Sequence, residues 1–173
     1  MFDRAAFQRA FSSAGRRLGD GALAGRIELI AEAAGALPVD ELVGLVDGCF
    51  RTGDNDERRA VLRALDRLPA PERFVPLAVS ACRTNVVPVF EAIACDNPFP
   101  ARHFSEAELN QLVLKALFVG VAIDRIVGLA ARITPELERM AAAYASERRA
   151  AGRAVSEDTD RLATHSARRT PSP

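Results

Sequence analysis

The polar side chains best suited to chemistry cluster between residues 95 and 104, a stretch that two prolines interrupt. Asp96 and Asn97 precede the first proline, and Arg102 and His103 follow the second. Because each proline fixes φ and lacks a backbone N–H, we expect a loop here between two apolar helices. The loop would hold a carboxylate, an amide, a guanidinium and an imidazole beside the core, where they could bind a polar ligand.

His103 is the residue of this loop that best suits proton transfer, because imidazole titrates near neutral pH. A zinc site would need about four ligands at recognisable spacing. Cys95 and Asp96 are the nearest other candidates, and the next histidine along the chain is His165. We therefore predict no metal site, and we favour a surface or backbone-bonded role for His103. Phosphate-binding loops, nucleophile elbows and dinucleotide fingerprints are also absent, so we predict no cofactor and assign no catalytic residue.

Lys115 is the single lysine among 23 basic residues and lies in the predicted helix Ser105–Gly120. Helical geometry places Glu108, Gln111 and Lys115 on one face. This face is either a solvated strip or the wall of a pocket, in which the ammonium would hold an anionic or phenolic group. Asn110 has apolar neighbours, so a buried Asn110 would need hydrogen-bond partners, which the backbone of the preceding loop could supply.

Three further polar residues flank the loop on its N-terminal side. Arg83 and Asn85 precede the predicted helix Val86–Cys95, and Glu91 lies within it. At 1.5 Å per residue, this helix would separate Arg83 from Asp96 by roughly 15 Å. One small ligand could not easily touch both ends. The sequence is therefore consistent with either one site or two half-sites.

The elements that would position these residues are all helical. Apolar residues recur at intervals of three and four, and no segment alternates apolar and polar residues. We predict helices over Phe2–Leu18, 21–36, Val39–Arg51, Asp56–Leu68, Glu72–Arg83, Val86–Cys95, Ser105–Gly120, Ile123–Ala131 and 135–151. We expect an all-α fold in which helices form an irregular, HEAT-like array of antiparallel hairpins, with a compact helical bundle as the alternative.

Two helix starts carry recognisable signals. Ser105 and Glu108 match the capping box, in which serine caps the helix and glutamate bonds back to the cap. Asp54 or Asn55 is suited to cap the helix that follows them. These signals predict where the fourth and seventh of the predicted helices begin.

Length and composition restrict the class of protein. The chain has 173 residues, 49% of them hydrophobic, which favours a single domain over residues 1–152. Residues 153–173 hold few apolar side chains, so we expect a disordered polar tail. Acidic and basic residues number 23 each, so no net charge attracts nucleic acid. Neither a transmembrane run nor a signal peptide is recognisable, and we expect a cytoplasmic protein.

Several short motifs resemble those of the EboA family, namely Asn97-Pro98-Phe99-Pro100, Phe104, the stretch 110–118, Ile126-Val127-Gly128-Leu129 and the stretch 147–153. The resemblance is most specific from Thr84 to Arg153. It implies a small protein of bacterial metabolite gene clusters, associated with moving a precursor or product of secondary metabolism across or towards the inner membrane. The implied partners are proteins encoded in the same cluster, including a membrane prenyltransferase-like protein. The resemblance supplies no established catalytic residue or ligand.

Three hypotheses follow from these observations. The first is a non-enzymatic helical adaptor that binds a metabolite or a partner protein, at the inner membrane only through that partner. The second is a small enzyme acting on an aromatic or phosphorylated precursor, which requires at least two of Lys115, His103, Glu91 and Asp96 to meet in one cavity. The third is a purely structural scaffold, for which changing Asn97 or Lys115 would leave binding unaltered.

Overall fold

The structure is a computed structural model that describes residues 2–166. Helices joined by short turns make up this range, and no β-strand occurs in it. The predicted all-α class is therefore confirmed. The α-helices are α1 (Arg4–Leu18), α2 (Ala22–Ala36), α3 (Val39–Thr52), α4 (Asn55–Ala64), α5 (Val75–Ala81), α6 (Val87–Ala94), α7 (Phe99–His103), α8 (Glu106–Val119), α9 (Pro135–Ala150) and α10 (Glu157–Ala163).

The helices pack in a regular order around one apolar core. Helices α2, α4, α6 and α8 contact one another in series, while α1, α3 and α5 each contact the next member of that series. Helix α9 packs mainly on α10 and also on α8. This order of contacts is compatible with a compact bundle, and the HEAT-like arrangement stays a prediction. None of the helices within residues 2–166 is both long and apolar enough to cross a membrane.

Both predicted capping signals are present. The Ser105 side chain accepts from the Glu108 backbone N–H, and the Glu108 carboxylate accepts from the Ser105 N–H at 2.8 Å. Asp54 and Glu57 form the same reciprocal pair at the start of α4. Since these bonds satisfy backbone donors that the first turn leaves free, they define where α8 and α4 begin.

The proline-rich stretch is more ordered than the sequence suggests. We expected a loop between residues 95 and 104, but Phe99–His103 forms the short helix α7. Pro100 lies in the first turn of α7, where a missing backbone N–H costs no helical hydrogen bond. The chain leaves α6 through Asp96, whose φ of +52° turns it sharply.

The predicted helix Ile123–Ala131 is wrong. Two 3₁₀ turns, Ile123–Arg125 and Leu129–Ala131, occupy this range instead. Gly128 separates them with a φ of +74°, and a Cβ placed there would lie 2.9 Å from the Cβ of Ala101. A helix cannot continue through a residue in the left-handed region, so the segment bends against α7.

The predicted disordered tail also needs correction. Residues 157–163 form α10, whose N-cap Ser156 accepts from the Thr159 backbone N–H. Leu162 is only 1% exposed and belongs to the main core. The sequence pattern does not predict helix α10, because so short a helix depends on tertiary packing for its stability. The rest of the predicted tail, residues 167–173, lies outside the described residues, and the single-domain assignment stays a prediction.

Candidate functional site

A groove of about 670 Å³ lies between α8 and α9, and we call it the α8–α9 groove. This volume falls in the range of small-molecule sites, roughly 300–1,000 Å³. Helix α8 contributes one wall and α9 the other, and Asn85 from the turn before α6 also lines the groove. The residues that line the groove are Asn85, Gln111, Leu114, Lys115, Phe118, Val119, Arg139, Met140, Ala143, Tyr144 and Glu147.

A smaller cavity of about 420 Å³ lies on the other side of Gln111 and Lys115, and we call it the α5–α8 hollow. Arg83 stands at its α5 side, beside the thiol of Cys82. The remaining lining residues are Val79, Phe104, Ala107 and Glu108. Because Gln111 and Lys115 line both cavities, the groove and the hollow form adjacent parts of one surface depression.

Lys115 is the cation that joins the two cavities. Its Nζ donates a hydrogen bond to the Thr84 carbonyl oxygen and lies 5.3 Å from the centroid of the Phe90 ring. Among the described residues, no carboxylate lies within ion-pairing distance of this half-buried ammonium. An ammonium has three N–H donors, so two remain for a ligand. The geometry is therefore compatible with the pocket interpretation of Lys115.

Neither the neighbouring acid nor the neighbouring thiol forms an ion pair with Lys115 within the described residues. The Glu108 carboxylate accepts from Ser105 in the capping box. Burial raises the pKa of the Cys82 thiol to about 12, and the nearby Lys115 ammonium only partly opposes this rise. Cys82 is consequently a neutral thiol at physiological pH and a poor nucleophile. The local charge is positive, which favours an anionic group between groove and hollow.

The far part of the groove is apolar and aromatic. Phe118 is 71% exposed, although it belongs to α8, in which most of the other apolar residues are buried. Tyr144 and Met140 face it from α9, and the Arg148 guanidinium donates to the Tyr144 hydroxyl at 3.4 Å. Phe118 and Tyr144 also line a further hollow of about 280 Å³ towards α10. The depression thus pairs a cation at one end with aromatic surface at the other.

Glu91 and Asp96, two of the candidate residues, meet at Arg125 instead of in a cavity. The Arg125 guanidinium donates to the Glu91 carboxylate at 2.7 Å and to the Asp96 carboxylate at 2.8 and 3.2 Å. Hydrogen bonds to Asp96, and next those to Glu91, raise the pKa of the Arg125 guanidinium above its ordinary value. Sequence reasoning missed Arg125, since nothing along the chain pairs it with residues 29 and 34 positions away.

Hydrogen bonds from the same cluster explain why the backbone of Asp96 adopts a left-handed conformation. Its N–H donates to the Arg125 carbonyl oxygen at 2.7 Å. The Arg63 guanidinium donates to the carbonyl oxygens of Cys95 and Asp96 at 2.6 and 2.9 Å. Aspartate tolerates the left-handed region better than most residues, and these bonds hold it there. Glu91 and Asp96 therefore act as a structural tie between α6 and the segment after α8.

Asn97 is buried and fully bonded. Its side-chain N–H groups donate to the carbonyl oxygens of Leu62 and Ala92 at 3.1 and 2.9 Å, and its Oδ1 accepts from the Phe99 N–H at 3.0 Å. Only 3% of the residue is exposed. These bonds leave no group that a ligand could reach, so Asn97 holds α4, α6 and α7 together.

His103 lies apart from both cavities. Its ring packs on Phe99 with a centroid distance of 4.8 Å, and its Nε2 is 3.8 Å from a carboxylate oxygen of Asp66. The neighbouring Arg102 binds the other oxygen of Asp66. His103 and Arg102 are therefore part of a contact between α7 and the turn after α4.

Asn110 is buried, with 3% exposure. The expected bonds from the backbone of the preceding loop are absent, and Oδ1 has no partner among the described residues. Of the eight candidate residues, only Arg83, Asn85 and Lys115 line the depression. The sequence did not single out Phe118 and Tyr144, because the exposure of an aromatic residue depends on which helix packs beside it.

A comparison with known protein families finds a match, and it covers the part of the chain that forms the groove and the hollow. The family model described as metabolite traffic protein EboA matches residues 23–164, which extend from α2 through α10 and include every residue of the groove and hollow. No curated protein and no solved structure matches the chain.

Proposed function

The chain belongs to the EboA family of metabolite traffic proteins, and we propose on that basis that it binds a metabolite without converting it. The α8–α9 groove and the α5–α8 hollow form the proposed binding site. One observation carries this proposal: Lys115 is a half-buried ammonium that lines both cavities and has no carboxylate partner in the described residues. A ligand with a negative or phenolic group would provide the partner.

The chemistry of the walls defines the ligand class. Lys115 and Arg83 favour an anionic or phenolic group near the boundary between the two cavities. Phe118, Tyr144 and Met140 favour an aromatic or other apolar body in the groove. From Lys115 to Phe118 the helix rises by only about 5 Å, so head and body can belong to one small molecule.

No observation supports the enzyme alternative in the way that Lys115 supports metabolite binding. It requires at least two of Lys115, His103, Glu91 and Asp96 to meet in one cavity, but of these four residues only Lys115 lines the groove or the hollow. Glu91 and Asp96 are engaged by Arg125, and His103 faces Asp66. The adaptor is therefore the better-supported function.

The partners in this proposal are proteins encoded in the same metabolite cluster, among them a membrane prenyltransferase-like protein. The chain would work in the cytoplasm and reach the inner membrane only by binding such a partner. Phe118 supports this proposal, because an aromatic side chain that is 71% exposed at the mouth of a binding site suits contact with another protein.

Lys115 makes the binding site directly testable, because it is the only lysine in the chain. The probe is 4-hydroxycinnamate, which carries a carboxylate and a phenol on an aromatic body. We expect the probe to slow the reaction of Lys115 with an amine-reactive reagent, as followed by peptide mass spectrometry. Calorimetry should show that Lys115→Met weakens probe binding about tenfold or more, because a charge-assisted hydrogen bond is lost.

The matched control is Arg9→Met, which removes one positive charge from the exposed face of α1. Its affinity for the probe should equal that of the unchanged protein. Equal affinities for Lys115→Met and Arg9→Met would refute the proposed site and favour a scaffold. Conversion of the probe, detected by chromatography and mass spectrometry, would refute the non-enzymatic function.

A further inference from the structure

A separate cavity of about 420 Å³ lies where the segment 123–133 meets α10, and we call it the α10 cavity. Its lining is mainly apolar. Ile126, Leu129 and Leu162 are buried in its walls, whereas Val127 stands at the surface with 42% exposure. No residue of this cavity lines the α8–α9 groove or the α5–α8 hollow.

The only cation that lines the α10 cavity within the described residues, Arg161, is paired with two carboxylates. The Arg161 guanidinium donates to both oxygens of the Asp124 carboxylate at 2.6 and 3.1 Å, and to Asp158 at 2.9 Å. Asp158 also accepts from the Ile123 backbone N–H at 3.0 Å. With two carboxylates on one guanidinium, the cavity offers no unpaired cation to an anionic ligand. In this respect it differs from the groove around Lys115.

Among the described residues that line the cavity, His165 has a buried side-chain polar atom that lacks a partner. Its Nε2 is shielded from solvent and makes no hydrogen bond to any described residue. A buried ring nitrogen without a partner is destabilising, and a bound hydrogen-bonding group would remove that cost. An alcohol suits the position because a hydroxyl can both donate and accept, and therefore pairs with Nε2 in either imidazole tautomer.

We infer that the α10 cavity is a second ligand site, which binds a neutral and mainly apolar alcohol whose hydroxyl bonds to His165 Nε2. The apolar walls take the hydrocarbon part of the ligand, and the compensated charge of Arg161 gives no advantage to an anion. This site goes beyond the proposed metabolite groove and does not depend on it. The two sites differ in the charge of the ligand that they select.

The test uses the full chain with cyclohexanol as the probe and cyclohexanecarboxylate as its anionic counterpart. Isoleucine methyl NMR reports binding, because Ile123, Ile126 and Ile133 line the cavity. We expect saturable shifts of these methyl signals with cyclohexanol and an affinity about tenfold lower for the carboxylate. Replacing His165 by Phe should weaken cyclohexanol binding about tenfold, since one buried hydrogen bond is lost.

A matched pair of variants places binding in the cavity. Val127→Trp fills the mouth and should abolish the shifts, whereas Val87→Trp alters an equally exposed valine at the start of α6 and should leave them unchanged. Because both positions are 42% exposed, neither change should unfold the protein. Absence of saturable shifts up to the solubility limit, or unaltered shifts in Val127→Trp, would overturn the inference. Protection of Lys115 by cyclohexanol without shifts of the isoleucine methyl signals would also overturn it, since the probe would then occupy the groove instead of the α10 cavity.

Discussion

Replacing Asn97 by alanine should destabilise the protein far more than its position beside a surface turn suggests. The side chain makes three buried hydrogen bonds, to Leu62, Ala92 and Phe99. Each such bond contributes about 1 kcal/mol net, and a buried partner left unpaired costs about 1–3 kcal/mol. Both carbonyls can be partly satisfied elsewhere, whereas the Phe99 N–H loses its acceptor. We therefore expect Asn97→Ala to lower the free energy of unfolding by about 3 kcal/mol.

Urea unfolding followed by circular dichroism measures this loss as a lower midpoint at unchanged slope. The control is Asn85→Ala, because Asn85 is exposed and makes no hydrogen bond within the described residues, so its loss should be below about 0.5 kcal/mol. Asn97→Asp should destabilise at least as strongly as Asn97→Ala, since it turns carboxylate oxygens towards two carbonyl oxygens. A loss below about 1 kcal/mol for Asn97→Ala would refute the conclusion that this amide holds α4, α6 and α7 together.

Three other perturbations have defined outcomes. Gly128→Ala should lower the thermal midpoint more than Gly120→Ala, because both residues have positive φ but only Gly128 would place a Cβ in a close contact; equal shifts would contradict this. Burial raises the pKa of the Cys82 thiol from 9.0 to about 12, so the stability that comes from the protonated thiol is complete below pH 9 and is lost as the pH rises towards 12. The urea midpoint should therefore fall over this pH range, and Cys82→Ala should reduce the fall. Phe118→Ser should change the urea midpoint little but weaken binding of 4-hydroxycinnamate, and unaltered binding would exclude Phe118 from the site.

Helix starts and the fold class could be predicted because their signals are local. The capping box at Ser105 involves residues three positions apart, and Asp54 is one of the two residues suited to cap α4; the structure contains both caps. In contrast, the end of the predicted helix Ile123–Ala131 depends on the approach of Gly128 to Ala101, which no local pattern encodes.

The candidate site was predictable only in part, for the same reason. Lys115 is a candidate from the sequence because it is the single lysine of the chain, and it lines both cavities. The groove itself arises from α8 packing against α9, so Phe118 and Tyr144 meet across a gap of 26 residues in sequence. Arg125 was missed because its partners, Glu91 and Asp96, become neighbours only after the chain has folded. Long-range pairings of this kind require the tertiary structure.

Helix α10 sets a practical limit on how far the gene can be shortened. Composition alone would suggest stopping expression after residue 152, where the polar segment begins. That cut would delete Leu162 and Arg161, and the apolar walls around Ile126 and Leu129 would lose their cover. Newly bared hydrocarbon of this kind drives self-association, so trimmed protein should precipitate during purification while protein ending beyond α10 stays monodisperse.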